Sequence, residues 1–128
     1  MRQGLSSFPP GRVSRLADIP HPGVSEGIAV SRDKRIAVGT FYQEGPSHVF
    51  VCDQEGKALR DIPIEDKVPS PLLGVICKGK DIYAADFGNG RVLRISPDNR
   101  VSVFAQLPRL PKMVPGPSEQ PPGPNGLA

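Results

Sequence analysis

Three features of the 128-residue sequence predict an all-β fold made of repeated four-stranded units. Short apolar runs alternate with turn residues along most of the chain, the pattern of strands and not of helices. The run from Asp81 to Phe104 reads as three such strands joined by two tight turns, and a weaker copy lies upstream of it. The copies keep a constant offset: Gly27 and Gly74 lie 47 positions apart, and Ile36 and Ile82 lie 46 apart. Composition agrees, since 16 prolines and 14 glycines against five Phe, two Tyr and no Trp describe a turn-rich protein with a loop-heavy tail.

Residues 1–12 are polar and proline-containing and are expected to form a flexible N-terminal segment. Residues 13–17 (VSRLA) have the pattern of one short strand, ended by Pro20 and Pro22, which cannot donate to a sheet ladder. The first full unit, about residues 24–64, then follows. Residues 26–31 (EGIAVS) are its first strand, and Ser31 to Lys34 form a turn. Residues 35–40 (RIAVGT) alternate, with Ile36 and Val38 on one face. A looser loop leads into residues 48–52 (HVFVC); residues 53–56 (DQEG) place Gly56 where a turn needs a positive φ, and residues 58–62 (ALRDI) end before Pro63.

The second unit, about residues 71–106, repeats this order. Residues 72–77 match 25–30, residues 81–85 match 35–39, residues 91–95 match 48–52, and residues 101–104 supply the fourth strand. Four strands at a period of about 40–50 residues is the signature of a β-propeller blade. Residues 107–124 hold seven of the prolines and read as an extended inter-blade loop, and residues 125–128 begin a further blade. The expected architecture is therefore an incomplete β-propeller over residues 13–128: two complete blades with flanking strands of their neighbours. Such an arc leaves apolar blade faces open, so the remaining blades or a second chain are expected to close the ring. The sequence is thus expected to be a fragment of a longer chain, or a half-propeller that oligomerises.

The formal charge of +3 is small, and Lys and Arg interleave with Asp and Glu, which argues against nucleic-acid binding. No secretory or membrane-spanning apolar run occurs, so a soluble chain, cytoplasmic by default, is expected. Cys52 and Cys77 lie on strands without metal-ligand spacing and read as small buried apolar residues; a disulfide between them stays open. His21 and His48 have no partner at catalytic or ligand spacing and read as loop or surface residues. Asp86, Asn89 and Arg91 form a charged trio at a hairpin, where Asn89 and Gly90 make the turn and Asp86 accepts hydrogen bonds; a structural role is expected.

Two sets of residues carry a family resemblance. Residues 84–95 (AADFGNGRVLRI) resemble the Asp-Asn-Arg-Val core of NHL repeats. Residues 25–30 (SEGIAV), 72–75 (LLGV) and 124–128 (PNGLA) look like the senescence-marker-protein/gluconolactonase family of six-bladed propellers, over about residues 20–128. That resemblance implies a metal-dependent hydrolase of lactones or similar esters, with a divalent cation, often calcium, on the propeller axis. Its metal ligands would match Glu26 and Asn125; the family's further acidic residue would lie in later blades, so the catalytic residues are unknown and the chain as given is expected to be inactive. The competing reading is a non-catalytic NHL-like propeller that binds a protein or other ligand through its loops.

Overall fold

The computed structural model describes residues 11–65, 70–108 and 126–127, and within them the chain is all β. Eight strands run in sequence: β1 (Val24–Val30), β2 (Ile36–Phe41), β3 (Ser47–Cys52), β4 (Ala58–Ile64), β5 (Leu72–Lys78), β6 (Asp81–Asp86), β7 (Arg91–Ile95) and β8 (Val101–Gln106). They form two antiparallel four-stranded sheets, ordered β1-β2-β3-β4 and β5-β6-β7-β8. Each sheet is a simple meander, the topology that short connections between neighbouring strands produce. The two four-stranded units expected from the repeat are present, and no described residue is helical.

Turn chemistry explains the meanders. Ser31, Asp53 and Ser96 each open a five-residue turn whose first N–H donates to the carbonyl four residues on: to Arg35 at 2.9 Å, Lys57 at 3.0 Å and Arg100 at 3.0 Å. In each, the side-chain oxygen of the first residue accepts from the backbone N–H of the last, at 3.0, 2.9 and 3.1 Å. The fourth residue is left-handed: Lys34 at φ 65°, Gly56 at 84° and Asn99 at 66°. Glycine and asparagine suit that conformation, whereas lysine carries a Cβ that opposes it. Lys34→Gly is therefore expected to stabilise the chain by about 0.5–1 kcal/mol, read as a rise in the urea midpoint; the Gly56→Lys exchange should move it down.

The sheets pack face to face. Ala37, Val49, Val51, Ile62 and Ile64 of the first meet Leu72, Val75, Ile82, Ala84, Leu93 and Ile95 of the second in one buried cluster. Strand alternation selects these residues, because side chains two apart point to the same face. The contact is closest where β5 lies against β1 and β2. There Gly27 and Gly39 replace side chains: a Cβ on Gly39 would stand 2.9 Å from both Cβ and O of Leu72, and one on Gly27 3.0 Å from Val75. At the far end of the interface, Arg60 of β4 reaches across the joint. Its Nε donates to Asn99 Oδ1 at 2.7 Å and its Nη2 to the Ser96 carbonyl at 2.6 Å.

Two expectations need correction. Residues 13–17 are not a strand; they lie in an irregular segment with Val13 97% exposed, because no neighbouring strand offers a ladder. Strand β4 also continues through Pro63 to Ile64, with Pro63 opposite His48. It can do so because β4 is an edge strand, where a missing N–H breaks no ladder on the outer side. Residues 1–10, 66–69, 109–125 and 128 lie outside the described residues, and with them most of the expected flexible N-terminal segment, most of the expected inter-blade loop 107–124, and Asn125.

Candidate functional site

Glu26 sits at a β-bulge. Ser25 pairs with Thr40 and Gly27 with Gly39, so Glu26 has no partner opposite it. The second sheet repeats the irregularity: Leu72 pairs with Asp86 and Gly74 with Ala85, leaving Leu73 unpaired. A bulge re-aims the side chain of its extra residue away from the regular alternation, and Glu26 is exposed. Among the described residues it has no side-chain hydrogen bond or ion pair. Asn125, its expected companion, lies outside the described residues, so the two are not brought together here.

Asp86, the most motif-like acid, is fully buried and committed to the fold. Its Oδ2 accepts from Arg91 Nε at 2.9 Å and Nη2 at 2.7 Å, and both its oxygens accept from Asn89 Nδ2 at 3.1 and 3.2 Å. These bonds tie the β6–β7 hairpin to itself, with Gly90 at φ 64° closing the turn. The structural role expected for the trio is the one observed.

A second cluster comes from residues with no legible spacing. His48 on β3 and Asp61 on β4 lie on the same face of the first sheet, offset by two pairs along the ladder, since His48 faces Pro63 and Asp61 faces Phe50. His21, from the segment before β1, stacks on His48 with ring centroids 3.5 Å apart and planes 16° from parallel. His21 Nε2 lies 2.6 Å from Asp61 Oδ2, and His48 Nδ1 lies 2.9 Å from Asp61 Oδ1. The expectation that neither histidine has a partner is therefore corrected. The partners are 40 and 13 residues away in the chain, and only strand register and the path of residues 11–23 unite them. The one usable signal in the sequence was that His48 and Asp61 fall on adjacent strands of one hairpin.

A cleft of about 390 Å³ opens between the sheets at the opposite end from Glu26, lined by Arg35, Arg60, Cys77, Lys80, Asp81 and Pro97. Burial, then the nearby Arg35, holds the Arg60 guanidinium below its usual range. Burial, then Asp33, pushes the Cys77 thiol up, and burial with Asp53 does the same to Cys52. Both thiols are free, and both favour the protonated, unreactive form. Cys52 is buried as expected, whereas Cys77 is half-buried at the cleft wall. Among the described residues that line it, no nucleophile is paired with a base.

No protein-family model, curated protein or solved structure matches this chain. Among the described residues no helix is long and apolar enough to cross a membrane.

Proposed function

We propose that the two sheets are successive blades of a β-propeller, and that the chain contributes to the metal-binding mouth of a gluconolactonase-like hydrolase acting on a lactone or similar ester. The observation that carries this reading is the bulge-before-glycine repeated at the head of β1 and β5, which lie against each other and leave the Glu26 carboxylate exposed. The exposed apolar residues Ile28 and Val30 on β1, and Val103 and Phe104 on β8, suit blade faces awaiting neighbours, supplied by further blades or by a second chain.

The chemistry follows from the donors. A carboxylate at Glu26 and the side-chain amide of Asn125 are hard oxygen donors, the type a calcium ion prefers. A bound cation of this kind would polarise the carbonyl of a lactone. Glu26 would bind and orient; two oxygen donors alone leave most of the coordination shell to other groups, and no base to activate water is identified among the described residues. The 128-residue chain is accordingly expected to be inactive toward lactones.

The test is calorimetric titration of the chain with Ca²⁺, beside an assay of aldonolactone hydrolysis. Weak binding, with Kd on the order of 10⁻⁴–10⁻³ M, should be lost in Glu26→Gln while unfolding is unchanged. Calcium binding that survives Glu26→Gln removes the metal role. Calcium-dependent hydrolysis by the chain itself would show that the site is complete without further residues.

A further inference from the structure

His21, His48 and Asp61 combine features that a merely solvated cluster lacks. The two imidazoles are largely buried, with side chains 21% and 15% exposed, whereas Asp61 is 37% exposed and opens the cluster to water. One carboxylate oxygen faces each ring, at 2.6 and 2.9 Å. Among the described residues no Lys or Arg pairs with Asp61, and its side-chain partners are the two rings. One ligand atom from each residue falls within 4.8 Å of the others. Two imidazole nitrogens and one carboxylate are a borderline donor set, suited to zinc and its neighbours and poorly suited to calcium.

We propose that His21, His48 and Asp61 bind a divalent transition-metal ion of the Zn²⁺ class, with the open side of Asp61 leaving room for water as a further ligand. Without metal, the ring nitrogens that face Asp61 donate to it. With metal, His21 Nε2 and His48 Nδ1 present lone pairs, and each ring carries its proton on the other nitrogen, so no net proton is lost from a neutral ring. Donors about 2.0–2.1 Å from one zinc ion stand about 3.3 Å from each other, so the two His–Asp contacts open slightly. The two ring nitrogens, which lie within 4.8 Å, close by up to about 1.5 Å, and the stacked rings tilt toward the ion. His21 can supply that movement, because it lies outside the sheets, on residues 11–23. Binding would clamp this segment onto β3 and β4. The site shares no residue with the Glu26 region and stands or falls independently of the calcium reading.

The experiment is titration of the whole chain with Zn²⁺ by calorimetry, and with Co²⁺ followed by visible absorption. One ion per chain is expected. His21→Gln and His48→Gln should each weaken binding by more than the about 10–100-fold typical of losing an outer-shell partner. His21→Gln is the decisive variant, since His21 lies outside every strand, and unchanged urea unfolding would establish that its fold is intact. The Co²⁺ spectrum should show ligand-field bands without thiolate charge transfer. No binding by the unaltered chain, binding insensitive to both histidine substitutions, or a thiolate band from Cys52 or Cys77 would each overturn the proposal. The first of these outcomes would leave the cluster as a hydrogen-bonded pin.

Discussion

Gly39→Val is expected to lower stability by about 3 kcal/mol, and Gly39→Ala by about 1–2 kcal/mol, as measured by urea unfolding. The cause is the contact between sheets. A Cβ at position 39 meets Leu72 Cβ and the Leu72 backbone oxygen at 2.9 Å, and Val75 Cγ2 at 3.0 Å. Side-chain rotation relieves the contact with Val75, but the Leu72 oxygen belongs to β5 itself. Strand β5 must then move away from β2, and the buried cluster around Leu72 and Val75 loosens. Valine favours strands by less than about 1 kcal/mol, which is too little to offset the displacement. The second sheet provides an internal control, because Ala85 holds the same place opposite Gly74 that Gly39 holds opposite Gly27. A Cβ is acceptable at that register; what excludes it at 39 is the facing sheet. An unchanged midpoint in Gly39→Val would mean that the two sheets do not meet at this point.

Arg91→Met is expected to cost about 3–5 kcal/mol, because it strips a buried carboxylate of its cation. Asp86 is 0% exposed and cannot turn to water, whereas the Arg91 side chain is 21% exposed. Asn89 would still donate to both Asp86 oxygens, which places the loss toward the lower end of that range. The double variant Asp86→Leu/Arg91→Met should recover most of the stability, since an apolar pair of similar volume avoids the cost of dehydrating two charges. A double-mutant cycle in urea measures this directly. If the single and double variants are equally destabilised, the pair is not the source of the hairpin's stability. The contrast with exposed pairs such as Arg35 and Asp33, 53% and 61% exposed, is one of burial, and neutralising those should change little.

Much of the fold was legible because it is written in short-range chemistry. A serine or aspartate three positions before a left-handed residue, with polar residues or proline between, specifies each five-residue turn, whatever lies around it. Alternation marks which residues share a face, and the repeat offset implies two equivalent sheets, but not which face is the core: in β2 it is Ala37, not the more apolar Ile36 and Val38, that is buried. The misreadings arose where a residue's behaviour depends on its neighbours in space. Residues 13–17 have a strand's pattern but no ladder to join, and Pro63 is tolerated only because β4 is an edge. Glu26 could be singled out in the sequence, but its unpaired position at a bulge depends on the pairing of Ser25 and Gly27 across β2.

The histidine cluster marks the limit most clearly. Its three members lie on three separate segments, and no spacing rule links positions 21, 48 and 61. The sequence by itself determined strand order, turn type and the structural use of Asp86, Asn89 and Arg91, because those depend on residues a few positions apart. Tertiary structure alone decided which glycines must be glycines and which polar groups meet. Backbone approach between sheets and side-chain convergence are set by long-range packing, which local patterns do not encode.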